Sequence, residues 1–99
     1  MNFRKKSIFI CDALTLLERL PSEVIRLSYL NPPLCSDLNV KQKMLDEYAL
    51  YLSKIVQQCH RIMLTDGNLF VHWSQKSQID LRLIINQIFG KEPNYEIPW

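Results

Sequence analysis

The segment Asn31-Pro32-Pro33-Leu34 follows directly on an apolar run, Val24 to Leu30, and is the part of this 99-residue chain best suited to chemistry. Two consecutive prolines fix the backbone and offer no N–H, so the Asn31 side chain and the carbonyls after it are held in a rigid display. An amide oxygen held that way can accept a hydrogen bond from the exocyclic amino group of a base. Drawing on that N–H leaves the nitrogen lone pair better placed to attack a methyl donor. The plainer reading of the same residues is a stiff loop that ends a strand. Two other segments place polar groups beside apolar runs: Asp12, after Ile8-Phe9-Ile10-Cys11, and His72-Trp73-Ser74, after Leu69-Phe70-Val71. Asp12 reads first as a helix N-cap. His72 reads as a hydrogen-bonded structural residue before it reads as an acid or base. Trp73 suits a ligand-facing position and a core position equally.

These groups need elements to position them. Ile8 to Cys11 predicts a first strand, and Asp12 the cap of a short helix whose apolar residues are Ala13, Leu14, Leu16, Leu17 and Leu20. Pro21 ends that helix. Val24 to Leu30 predicts a second strand with Ile25, Leu27 and Tyr29 on one face. A long helix is expected from about Val40 to Leu64, its stripe being Leu45, Tyr48, Leu52, Ile55, Cys59 and Ile62. Lys41, Lys43, Lys54, Gln58 and Arg61 lie largely off the stripe, and Tyr48 and Tyr51 read as packing residues. Asp66-Gly67 predicts a turn and Asn68 to Trp73 a third strand. Ser74 is expected to cap a last helix with Ile79, Leu83, Ile84 and Ile88 as its apolar set, and Gly90 to close it in a left-handed C-cap.

Alternating strands and helices predict an α/β fold with a parallel sheet and crossover helices. An open parallel sheet binds ligands beyond the carboxyl ends of its strands. Asp12, Asn31-Pro32-Pro33-Leu34 and His72-Trp73-Ser74 are therefore expected on one shared rim.

Composition narrows the function classes. The length allows one domain, and 47% hydrophobic residues with 10% aromatics supply a core. A net charge of +2 is too small to argue for nucleic acid by itself. Arg4, Lys5 and Lys6 read as a solvated tail. No run approaches the ~20 apolar residues that span a bilayer, and the start has no signal-peptide pattern, so no membrane partner is expected. Cys11, Cys35 and Cys59 lack any C-x-x-C spacing and read as free thiols in a reducing cytoplasm. Cys59 and His60 are neighbours on a helix and point in different directions, so no metal site is expected there.

Set in order, these segments resemble a known family. Cys11-Asp12-Ala13-Leu14, then Leu20-Pro21-Ser22, then Leu27 to Pro33 is similar to the opening of DNA adenine-N6 and cytosine-N4 methyltransferases. Thr65-Asp66-Gly67-Asn68-Leu69-Phe70-Val71 looks like the strand after that family's long helix. Ile88-Phe89-Gly90-Lys91-Glu92 and Tyr95-Glu96-Ile97-Pro98-Trp99 look like its later run, most familiar in the permuted class where the catalytic motif comes first. Modification subunits of type III restriction systems are similar here. The resemblance spans nearly the whole chain and implies a Rossmann-like three-layer fragment of an S-adenosylmethionine-dependent methyltransferase fold, with residues 1–99 forming a partial catalytic domain. It implies DNA as partner and S-adenosylmethionine as donor. Asn31 would orient the target amine, Pro32 and Pro33 would stiffen the loop, and Leu34 would line the base pocket. Asp12 resembles an acidic position near the donor adenosine.

Two departures qualify what the resemblance implies. The family's motif normally ends in an aromatic residue that stacks on the flipped base; Leu34 has no π face, and such stacking is worth ~1–3 kcal/mol. The family's Gly-rich donor turn is also absent, the two glycines being Gly67 and Gly90, in separate places. In the permuted class that turn falls after the target-recognition segment. The expectation is a truncated or degenerate methyltransferase, adenine-N6 before cytosine-N4, inactive alone, and associating with itself or a partner chain through an exposed strand edge or helix stripe. The alternative, from a different class, is a non-catalytic scaffold or interaction module that binds DNA or a protein.

Overall fold

The structure, a computed structural model, describes residues 11–32, 41–73, 79–91 and 94. In chain order the elements are α1 (Ala13–Arg19), β1 (Ile25–Leu30), α2 (Gln42–Ile62), β2 (Met63–Val71) and α3 (Leu81–Phe89). β1 and β2 pair in parallel, so the described part is a small α/β unit with a two-stranded parallel sheet. Of the expected first strand, residues 8–10 lie outside the described residues, and Cys11 sits in a bend.

The α2 stripe behaves as its spacing predicts. Leu52, Ile55, Cys59 and Ile62 are buried, and Leu45 and Tyr48 are half-buried on the same side. Val56 joins them with no exposed surface. Leu52, Val56, Ile79 and Leu81 form the central cluster; Leu30, Val71 and Trp73 pack on it from the sheet side, and Ile84, Ile85 and Ile88 from α3. Each fully buried aliphatic side chain contributes roughly 1.5–3 kcal/mol relative to exposure. α1 packs on α2.

Two boundaries differ from the sequence reading. The long helix stops at Ile62 instead of Leu64, and β2 starts at once with Met63. The carbonyls of Arg61 and Ile62, which a longer helix would use internally, accept instead from the backbone N–H groups of Glu23 (3.1 Å) and Val24 (2.8 Å). Capture by the residues leading into β1 is what ends the helix. The predicted Asp66-Gly67 turn lies inside β2. Between the pairs Ile25↔Met63 and Leu27↔Asn68, one residue of β1, Arg26, faces residues 64–67 of β2. The turn signal is thus a bulge. Gly67 is required there on steric grounds: a Cβ would stand 2.6 Å from the Met63 side chain and 3.0 Å from the carbonyl oxygens of Arg26 and Leu64.

α3 begins at Leu81, later than expected, because Asp80 is its N-cap and accepts from the Leu83 N–H at 3.1 Å. The expected cap, Ser74, lies outside the described residues, and Ile79 is buried ahead of the helix. Gly90 closes α3 at φ 72°, the left-handed cap predicted for it.

Candidate functional site

The carboxyl ends of β1 and β2 carry the candidate residues. The His72 N–H donates to the Leu30 carbonyl at 2.8 Å, so the parallel ladder continues up to Asn31. Asn31 is exposed immediately beyond the strand, and Pro32 is half-buried beside it. Pro33 and Leu34 lie outside the described residues. Past the bulge, from Leu27 on β1 and Gly67 on β2, exposure alternates with period two. Leu27, Tyr29 and Asn31, with Asn68, Phe70 and His72, are exposed; Ser28, Leu30, Leu69, Val71 and Trp73 are half-buried towards α2. Asn31 therefore shares the open face with Tyr29, Phe70 and His72. The Tyr29 hydroxyl stands 3.4 Å from Nδ1 of His72, the donor depending on the imidazole tautomer. Trp73 packs on the core, and its buried Nε1 has no hydrogen-bond partner among the described residues.

Asp12 is the N-cap of α1. Its Oδ2 accepts from the Thr15 backbone N–H at 3.1 Å and from the Thr15 hydroxyl at 3.2 Å. Its Oδ1 accepts from the Tyr51 hydroxyl at 3.2 Å. The backbone N–H of Thr15 is the main reason the carboxyl sits below its ordinary 3.8, with the two hydroxyls adding to the effect. The Tyr51 hydroxyl is raised above its ordinary 10.0, chiefly by desolvation and then by the Asp12 carboxylate. Tyr51 is therefore more than the packing residue expected of it. Tyr51 precedes Arg61 by roughly 15 Å of helix, which puts Asp12 towards the rim end of the sheet.

The described residues do not make a site for S-adenosylmethionine. Both oxygens of Asp12 are engaged by its own helix and Tyr51, Gly67 sits in the β2 bulge, and Gly90 caps α3. No group of three metal-ligating side chains occurs among the described residues. Cys59 is buried, which raises its thiol above the ordinary 9.0, whereas His60 is exposed and meets Phe89 edge-on at 4.7 Å. The two side chains diverge.

Sequence reasoning missed Arg61. Its Nη2 donates to the carbonyls of Leu17 (2.9 Å) and Leu20 (2.8 Å), its Nη1 to the Ser22 hydroxyl (3.0 Å) and its Nε to Gln58 (2.7 Å). One guanidinium thus closes the carboxyl end of α1 and ties it to the end of α2. An arginine in a helix's last turn was the available signal. Beside it opens a hollow of about 370 Å³ lined by Glu23, His60, Arg61, Met63, Leu64 and Thr65. That hollow is at the amino ends of the strands, away from Asn31, and its guanidinium is already committed to protein acceptors.

No protein-family model, curated protein or solved structure matches this chain. No helix among the described residues is long and apolar enough to cross a membrane.

Proposed function

We propose that this chain carries the catalytic-motif part of a DNA methyltransferase acting on an exocyclic amine, adenine N6 before cytosine N4, on a Rossmann-like scaffold. The observation that supports it is the position of Asn31: exposed, one residue past a parallel strand, and followed by Pro32. Ligands of such sheets lie at that end. The Asn31 amide oxygen would accept from the N–H of the target amine, and Pro32 would limit its backbone freedom. S-adenosylmethionine supplies the methyl group in this reading and is held by groups other than those described above, so the chain alone is expected to be inactive.

Two measurements test it. Purified chain should transfer no labelled methyl group to DNA; transfer abolished by Asn31→Ala would show the chain to be self-sufficient. Adenosine, titrated against labelled protein, should shift the Asn31 side-chain amide resonances, whereas N6,N6-dimethyladenosine, which has no N–H to donate, should not. Equal shifts from both, or none from adenosine or cytidine at millimolar concentration, would remove the methyltransferase reading.

The second reading, an interaction module, is favoured by the large apolar side chains left exposed on the helices and the sheet, among them Met44, Leu50 and Leu83. Loss of a partner after substituting these residues, with Asn31→Ala neutral, would favour it.

A further inference from the structure

We draw no further inference here: the strongest candidate, the open face of the two-stranded sheet that bears Leu27, Tyr29 and Phe70, is an unpartnered apolar surface, and nothing in the structure shows what covers it.

Discussion

At the amino end of the sheet nearly every polar group works for the fold, whereas at the carboxyl end several stand exposed beside a bare apolar face. Arg61 donates to two carbonyls at the end of α1 and to a serine hydroxyl in the link to β1. Glu23 holds a left-handed φ of 56° there and donates its N–H to α2. The β2 bulge, with Gly67 packed under Met63, completes that end. At the other end Asn31 is exposed and Tyr29 meets His72 at the long distance of 3.4 Å. One end is built to be satisfied, and the other to display. A rigid base is what lets a small unit hold exposed polar groups in fixed places.

The sharpest way to break this comparison is to remove Arg61. Arg61→Ala leaves the Leu17 and Leu20 carbonyls without their charged donor, and we expect a loss of about 3 kcal/mol. Asn31→Ala, at the displaying end, should change stability by less than about 0.5 kcal/mol. Urea melts of the two variants decide it: similar midpoints would mean that the ends do not differ in kind. Gly67→Ala comes next. The new Cβ presses on a side chain and two backbone oxygens, so about 1–3 kcal/mol should be lost, with the register of β1 against β2 disturbed in amide exchange. Glu23→Gly works the other way. Removing the Cβ relieves a left-handed strain of roughly 1–2 kcal/mol and raises chain entropy in the unfolded state, so a net gain of about 0.5–1 kcal/mol is expected in the same melts.

How much of this was legible in the sequence follows the same division. The α2 stripe, the Asp12 cap, β1 and the Gly90 cap were readable because each is fixed by local spacing or a local backbone demand. The stop at Ile62 was not, because it is made by N–H groups of Glu23 and Val24 arriving from a distant part of the chain. Asp66-Gly67 was read correctly as a break in regularity and wrongly as a turn: glycine signals close approach in a bulge and in a turn alike. Arg61 was legible only as lying off the apolar stripe, because periodicity records apolar faces and says nothing of which carbonyls lie within a guanidinium's reach. Asn31 was legible as a strand end. Which other side chains share its face became visible only once β1 and β2 were in register.

The smallest effect concerns Asp12, a polar group towards the rim that is engaged as those at the base are. Its carboxyl is held below its ordinary 3.8 in the folded chain, first by the Thr15 backbone N–H. A depressed folded value means that the folded state favours the charged form more than the unfolded state does. The stabilisation of α1 is then complete above the unfolded value and is lost as pH falls through the folded one. Backbone amide shifts of residues 13–19 should therefore stay constant through neutral pH and report loss of the cap only below the ordinary carboxylate range. Tyr51→Phe removes one of the smaller contributions and should move that midpoint only part of the way back towards 3.8. Asp12→Asn keeps an accepting side-chain oxygen at the cap and should flatten the pH dependence while leaving α1 formed at neutral pH. A midpoint at or above 3.8 in the wild type would show that the carboxylate is not engaged by α1. Asp12 would then belong with Asn31 among the displayed groups, free to meet a ligand at the rim.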